Sequence, residues 1–134
     1  MIVDIFQEAI RNPFYRRVIS TGDRTQVVVM TIHDQIGEEV HCTVEQSIFV
    51  VEGDGTAFLN GRRQPVFAGD MILIKPGVRH NLIAGAKPLR LITIYSPPNH
   101  IDGRVHRTRA DAESDSEDQD FGHQIDRRLS RRRR

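Results

Sequence analysis

Short apolar runs separated by glycine, aspartate and proline occupy most of the chain up to residue 95, and this pattern predicts an all-β fold. Two of the runs, 56–59 and 62–67, are joined by Asn60-Gly61. That dipeptide is favoured in type I′ hairpins because both central residues adopt positive φ. Further strands are predicted at 14–20, 25–32, 46–51, 71–74, 81–83 and 89–95. Many short strands without an internal repeat indicate a double-sheet jelly roll.

The N-terminal residues follow a different period. Residues 2–10 place apolar side chains at positions 2, 5, 6, 9 and 10, which is the spacing of a short amphipathic helix. Asp4 is suited to cap the start of this helix. Asn12-Pro13 is expected to end it, because the residue before a proline is disfavoured in the helical region.

The C-terminal residues separate opposite charges into blocks. Residues 111–120 contain six acids and residues 127–134 contain six arginines. A stretch with so little apolar area is expected to be disordered. The predicted organisation is one folded domain at 1–110, followed by an acidic and then arginine-rich tail at 111–134.

Length, charge and cysteine usage restrict the class of protein. A chain of 134 residues is the size of one domain, and its net charge of +1 argues against strong global electrostatic steering. The single cysteine, Cys42, excludes an intrachain disulfide and fits a reducing compartment. No apolar run approaches the roughly 20 residues of a membrane span. We expect an intracellular, soluble protein without a membrane partner, cytoplasmic or imported into the nucleus through the arginines.

Candidate metal ligands occur at two places in the β region. In a strand, Glu39, His41 and Thr43 would share one face, because alternate side chains point the same way. Gln46 begins the next predicted strand, and His80 follows a turn and precedes another strand. The pattern predicts that Glu39, His41, Gln46 and His80 approach one divalent ion. Such mixed nitrogen and oxygen ligands suit Zn, Mn or Fe and do not distinguish between them.

The same residues resemble the two signature motifs of the cupin family, G(x)5-H-x-H-(x)3,4-E-(x)6-G and G(x)5-P-x-G-(x)2-H-(x)3-N, over about residues 25–95. The matching positions are Glu39, His41, Gln46 and Gly53 in the first motif and Gly69, Gly77 and His80 in the second. Lys75 replaces the first proline, and Ala84 replaces the asparagine. The resemblance implies the cupin double-stranded β-helix, a jelly-roll barrel that often holds a metal ion.

Two alignments of the first motif are available. If His41 is its first histidine, the second is Thr43 and the gap to Gln46 is too short. If His41 is the second histidine, Glu39 takes the place of the first and every later spacing fits, so this alignment is preferred. The alternative to a metal centre is that Glu39 and Gln46 form hydrogen bonds inside a barrel that has lost its metal.

Residues 95–113 resemble the segment that ends a group of small cupins labelled mannose-6-phosphate isomerase-like. The resemblance places His100 and His106 in the folded unit, either at the mouth of the cavity or in packing and capping hydrogen bonds. It also implies a sugar-phosphate isomerase-like activity, although no catalytic residue is identified.

Two function classes remain open from the sequence. One is a metal-dependent isomerase or dioxygenase, with Lys75 and Arg79 beside His80 contacting an anionic small molecule; the alternative for these two is solvated loop charge. The other is a non-catalytic ligand-binding or scaffold cupin whose arginine-rich tail contacts nucleic acid through phosphates. In either case we expect a homodimer, with 14–20 as an exchanged or edge-pairing strand.

Overall fold

A six-stranded and a three-stranded antiparallel sheet share one hydrophobic core. The structure is a computed structural model that describes the backbone of residues 1–132 and the side chains of residues 1–128. In chain order its elements are α1 (Ile5–Arg11), β1 (Arg16–Thr21), β2 (Gln26–Ile32), β3 (Glu45–Glu52), β4 (Asp54–Leu59), β5 (Arg62–Phe67), β6 (Met71–Ile74), β7 (His80–Ala84), β8 (Leu89–Ser96), β9 (Val105–His106), α2 (Arg109–Ser114) and α3 (Ser116–Arg132). The prediction of a jelly roll with a short N-terminal helix is confirmed.

The strand order explains how the two sheets close on each other. The larger sheet has the order β6-β3-β8-β2-β1-β9, and the smaller one has the order β5-β4-β7. Their inward faces meet in a core that is drawn from both sheets, with Val28, Ile48 and Leu91 from the larger sheet and Ala57 and Leu82 from the smaller. Non-consecutive neighbours such as β3 and β8 are typical of jelly-roll connections.

The local signals in the sequence explain the hairpin and the first helix. Asn60 has φ 50° and Gly61 has φ 80°, as the β4–β5 turn requires. The Asp4 carboxylate accepts a hydrogen bond of 3.2 Å from the Gln7 amide and caps α1. The helix packs its Ala9 on Val29 and Ile92, on the outer face of the larger sheet.

The segment between β2 and β3 differs from the prediction. Residues 40–44 are not in a strand, and Glu39 forms only an isolated antiparallel bridge with His80. The backbone of Thr43 is instead held by α3, since its amide donates to the Asp126 carboxylate at 3.2 Å. Alternate burial nevertheless persists from Glu38 to Thr43, so Glu39 and His41 still point to one side.

The expected disordered tail differs from the structure over the described residues. Residues 111–132 lie in α2 and α3 except for Asp115, which separates the two helices, and the predicted boundary at residue 110 falls inside α2. The reason is that acids of this segment bind groups of the barrel: Asp118 accepts from Ile101, Asp115 pairs with Arg104, and Asp126 accepts from Thr43. The predicted tail contacts of Arg133 and Arg134 lie outside the described residues.

Strand β1 is not the exposed edge that a strand-pairing dimer needs. It lies between β2 and β9, and β9 covers it at Arg16 and Arg17. The next residue of β1 is also paired on this side, because the Val18 amide donates to the carbonyl of Arg104, which precedes β9. The expected role of 14–20 in edge pairing therefore has no support in the described sheet. None of the helices in residues 1–132 is long and apolar enough to cross a membrane.

Candidate metal centre and the adjoining cavity

Glu39, His41 and His80 converge at one end of the barrel. The Glu39 Oε2 atom lies 3.6 Å from His41 Nε2 and 3.7 Å from His80 Nε2. One ligand atom of each of the three residues lies within 4.8 Å of the other two. His80 is 2% exposed, whereas the Glu39 side chain is 34% exposed. The three predicted ligands are thus brought together, with the carboxylate on the solvent side.

Backbone pairing between distant parts of the chain produces this convergence. The Glu39 amide donates to the His80 carbonyl at 2.9 Å, and the His80 amide donates to the Glu39 carbonyl at 2.8 Å. The Gly77 amide donates to the His41 carbonyl at 2.7 Å. Gly77 has φ 84°, a conformation that favours glycine, so the turn before His80 is adapted to this contact.

Gln46, the fourth predicted ligand, lies buried at the start of β3. Its side-chain amide nitrogen donates to Thr93 Oγ1 at 3.0 Å, which leaves the amide oxygen Oε1 without a hydrogen-bond partner in the described structure. Tyr95, the cross-strand neighbour of Gln46, packs edge-on against His41 with ring centroids 6.3 Å apart. Gln46 and Tyr95 therefore lie on the same face of the larger sheet, and the Tyr95 ring packs against His41 of the cluster.

The histidine nitrogens that face the cluster also have no hydrogen-bond partner within residues 1–128. His80 Nδ1 donates to the Val78 carbonyl at 3.0 Å, which directs Nε2 toward Glu39. His41 Nε2, His80 Nε2 and Gln46 Oε1 are all buried and unsatisfied. Buried polar atoms are normally hydrogen-bonded, and each exception needs an explanation. A metal ion fits this donor set, because these are ligand atoms and a carboxylate lies beside them.

The electrostatics of Glu39 agree with a cation site. Burial raises the pKa of its carboxyl group, but the His41 and His80 imidazoles, at 3.6 and 3.7 Å, and the positive charge of Arg16 together outweigh that effect. The pKa consequently lies well below its ordinary value, and Glu39 is ionised. An ionised carboxylate beside two imidazoles is ready to bind a divalent ion without first losing a proton.

A cavity of about 460 Å³ adjoins the cluster and reaches the surface. Glu39 and His41 form part of its wall, and Arg16, Asn99 and His100 form another part. A further part of the wall comes from the C-terminal helices and includes Ala112, Glu113, Asp118, Gln119, Gly122, His123 and Asp126. The segment that the sequence assigned to a tail therefore closes one side of the cavity.

Comparison with known proteins agrees with the barrel fold. The family model for the cupin domain matches residues 25–95, which is more than half of the chain. The chain belongs to the cupin family. Two of its relatives are uncharacterized proteins: YrkC of Bacillus subtilis, 36% identical over 121 residues, and a protein of Acanthamoeba polyphaga mimivirus, 33% identical over 112 residues. The match covers 83% of this cupin but only 64% of YrkC, and 78% of this cupin and 69% of the mimivirus protein.

Solved structures similar to this cupin have the same fold. The crystal structure of BH2720 from Bacillus halodurans has a TM-score of 0.82 and 38% identity, and the match covers 85% of this cupin and 93% of that chain. An uncharacterized protein with a double-stranded β-helix domain from Klebsiella pneumoniae has a TM-score of 0.64 and 23% identity, covering 81% of this cupin and 99% of that chain. At this lower identity the likeness shows the fold alone.

Lys75 and Arg79 do not line the cavity of this cupin. Because His80 points inward at the start of β7, the neighbouring Arg79 points outward, where its guanidinium lies 3.6 Å from Glu38. Lys75 is exposed in the turn before β7, where its backbone carbonyl accepts a hydrogen bond from the Val78 amide. The described lining thus contains neither of the two cations that were expected to contact a substrate.

Arg16 and Asp118 are two cavity residues that were not predicted from the sequence. Arg16 is 6% exposed, and Asp118 accepts a hydrogen bond of 2.7 Å from His100 Nδ1. Arg16 is separated by one residue from the buried Val18 on β1, so strand alternation alone would have placed it inside. No comparable signal exists for Asp118, which is one acid among six.

Proposed function

We propose that this cupin binds a divalent metal ion through Glu39, His41, Gln46 and His80 and acts with it on a small molecule. The observation that supports the proposal is that the ligand atoms His41 Nε2, His80 Nε2 and Gln46 Oε1 are all buried and unsatisfied, and that the two imidazoles lie beside an ionised carboxylate. A barrel without a metal site would be expected to satisfy these atoms internally, because unsatisfied buried polar atoms destabilise a fold.

Each of the four residues would have a distinct role in such a site. Glu39 supplies the negative charge, the imidazoles supply nitrogen ligands, and Gln46 supplies a neutral oxygen held in place by Thr93. The hydrogen bond from His80 Nδ1 to Val78 fixes the ring orientation, as partners of metal-bound histidines commonly do. When bound, an ion of this kind polarises a carbonyl group, and iron would add redox chemistry.

The cavity favours a reaction on a small molecule. Its volume of about 460 Å³ lies within the range of about 300–1,000 Å³ usual for small-molecule sites. The likeness of residues 95–113 to the mannose-6-phosphate isomerase-like cupins favours an isomerase over a dioxygenase. An isomerase would need only the carbonyl-polarising role of the ion, with protons moved by groups of the cavity wall.

The test is elemental analysis of protein purified without added metal, followed by titration with Zn, Mn and Fe(II). We expect about one ion per chain in the wild type and none in a His41→Ala, His80→Ala double variant. A His33→Ala variant is the matched control, because His33 is exposed. Full occupancy in the double variant, or no binding of any of the three metals by the wild type, would contradict the proposal.

A further inference from the structure

Three unsatisfied atoms remain in the cavity wall after the metal centre is accounted for. Among residues 1–128, the buried side-chain atoms without a hydrogen-bond partner outside that centre are Arg16 Nε, Asn99 Oδ1, His100 Nε2, Arg104 Nε and Arg109 Nε. The last two lie in ion pairs of 2.9 Å with Asp115 and Glu113. The other three all line the same cavity, so one bound molecule would explain them together.

Arg16 is a buried cation without a counter-ion. It is 6% exposed, and no carboxylate of the described residues forms an ion pair with it. Its polar contact is a long one, 3.5 Å from Nη1 to His106 Nδ1, and its guanidinium lies 5.2 Å from the centre of the Tyr15 ring. Buried charges are normally paired, because an unpaired one is costly. The wall of the cavity therefore lacks an anion at Arg16.

His100 and Asn99 present acceptors rather than donors. His100 Nδ1 donates to Asp118, so the lone pair of the neutral ring is on Nε2. Burial and the charge of Arg16 lower the pKa of His100 to about 4, which keeps the ring neutral near pH 7. The Asn99 amide oxygen is a second acceptor beside it. These atoms match a hydroxyl group, which donates a hydrogen bond, and not a second anionic group.

A carboxylate fits Arg16 better than a phosphate. The other cation of the wall, Arg109, is already paired with Glu113, and no lysine is found in the described lining. A phosphate carries more charge than one guanidinium neutralises, whereas a carboxylate matches the planar guanidinium fork. The acids nearby are also occupied, since Asp118 accepts from His100 and Ile101, and Asp126 accepts from Thr43.

We propose that this cavity binds a small hydroxycarboxylate, with the carboxylate paired to Arg16 and the hydroxyl donating to His100 Nε2 or Asn99 Oδ1. This inference rests on the proposed function, because the other end of the ligand would face the metal centre. Glu39 and His41 of that centre line the same cavity as Arg16. The same molecule would then extend from the guanidinium toward the ion, and Arg16 would select acids over neutral carbonyl compounds.

A matched set of probes separates the two contacts. We would titrate the wild-type protein, with its metal content measured first, with 2-hydroxyhexanoate, hexanoate and 1,2-hexanediol, and follow affinity by calorimetry and the Arg16 Nε–H signal by NMR. The hydroxy acid should bind about five-fold or more tighter than hexanoate, as expected for one hydrogen bond of about 1 kcal/mol. The diol should bind at least about ten-fold more weakly than the hydroxy acid, because it lacks the charged partner. The Arg16 Nε–H signal should shift with both acids and not with the diol.

Two variants and a control assign the contacts to residues. Arg16→Met should weaken both acids by about ten-fold or more and leave the diol unchanged. A His100→Phe, Asn99→Leu double variant, which removes both acceptors, should lower the affinity for the hydroxy acid to that for hexanoate. Arg17→Met is the control, because Arg17 is the next residue of β1, is half exposed and pairs with Glu8 outside the cavity. If a variant fails to fold, the Arg16 signal of the wild type still decides.

The outcomes distinguish this inference from the proposed function. Equal affinity for all three probes, an unmoved Arg16 signal, or an effect of Arg17→Met equal to that of Arg16→Met would overturn the inference. Stoichiometric metal without binding of either acid would overturn it while leaving the metal centre intact. Binding of the hydroxy acid through Arg16 in protein that takes up no metal would support the inference and contradict the proposed function.

Discussion

The Nδ1 atom of His100 lies 2.7 Å from Asp118 Oδ2, and both side chains are almost completely buried. The other Asp118 oxygen accepts from the Ile101 amide, also at 2.7 Å. One carboxylate of α3 thus satisfies both a side chain and the backbone of the segment that follows β8. The pair joins the acidic part of the chain to the barrel and orients the imidazole in the cavity wall.

Breaking this pair is expected to destabilise α3 and the cavity. Asp118→Asn places an amide where His100 Nδ1 and the Ile101 amide both donate, and the loss of a buried charged partner costs about 3–5 kcal/mol. Asp120→Asn is the matched control, since Asp120 is exposed on the same helix. Chemical denaturation gives the free energy of unfolding, and amide hydrogen exchange at Ile101 reports the local contact. Equal stability of the two variants would contradict the structural role of Asp118.

The pH dependence of stability should carry a signature of His100. Burial and the charge of Arg16 lower its pKa to about 4, whereas an unfolded histidine has a pKa of about 6.5. Between these values the unfolded chain binds a proton that the folded chain does not, so the free energy of unfolding falls as the pH falls. The groups that face or influence His100 from the surrounding elements are Arg16, Glu39, Tyr95 and Asp118.

His100→Gln should therefore flatten the pH profile between about pH 6.5 and 4. The difference from the wild type across this window should be at most roughly 3 kcal/mol, because one pKa unit corresponds to about 1.4 kcal/mol. Denaturant unfolding at several pH values measures it, with His33→Gln as the exposed control. Stability lost below pH 4 belongs to carboxylates such as Asp118. Burial raises the pKa of Asp118, but the hydrogen bonds from His100 and the Ile101 amide and the nearby positive charge together outweigh burial and lower it. A parallel profile for His100→Gln and wild type would refute this assignment.

Gln46 should matter for metal binding and not for the stability of the metal-free barrel. Its Oε1 atom is buried without a partner in the described structure, whereas its Nε2 atom donates to Thr93. Leucine therefore removes one unfavourable group and one hydrogen bond, and the two effects on stability oppose each other. Gln46→Leu should weaken metal binding about ten-fold or more while the metal-free protein unfolds at nearly the same temperature. Gln64→Leu on the exposed face of β5 is the control. A loss of stability without a change in metal affinity would assign Gln46 to the core alone.

The sequence was sufficient for the barrel and for the approach of three ligands, because both depend on local signals. Turn residues such as Asn60-Gly61 define the strands, and the spacing around His41 and His80 places them at one end. The contribution of α3 was not predictable from composition. Whether an acid such as Asp118 is solvated or buried depends on a histidine 18 residues earlier in the chain, and such long-range pairing leaves no periodic signal. Arg16 was predictable only in part. Strand alternation indicates that its side chain points inward, but it does not indicate that the guanidinium has no counter-ion among the described residues.

The outer face of the larger sheet supports a revised version of the predicted homodimer. Exposed apolar side chains, including Phe6 and Phe49, surround a groove whose floor contains Val27 and Ile92. Because large exposed apolar surfaces mark interaction sites, we propose that a second copy packs face to face here and not by edge pairing of β1. A Phe6→Asp, Phe49→Asp double variant should be monomeric by light scattering at micromolar concentration. Phe67→Asp, on the smaller sheet, should leave the mass unchanged; a monomeric wild type would contradict the dimer.

The arginine-rich segment stays a predicted contact for nucleic acid, and its residues 127–132 lie in α3. Arg127 and Arg128 are exposed in α3. Two of the acids of 111–120, Asp115 and Asp118, bind His106 and His100 of the barrel and are not free to neutralise these arginines. If the arginines bind phosphates, affinity for DNA of any sequence should fall steeply with salt, because each contact releases counterions. An Arg127→Gln, Arg128→Gln variant should lower the slope of log affinity against log salt by about two.

Removing 127–134 should abolish the binding without changing the metal content, since none of the proposed ligands lies in that segment. Arg62→Gln, Arg63→Gln on β5 is the matched control, because it removes the same charge from a different exposed surface. Fluorescence anisotropy with a labelled duplex between about 50 and 200 mM salt measures both slopes. If the two double variants weaken binding equally, the effect is one of net charge alone, and α3 carries no nucleic-acid site.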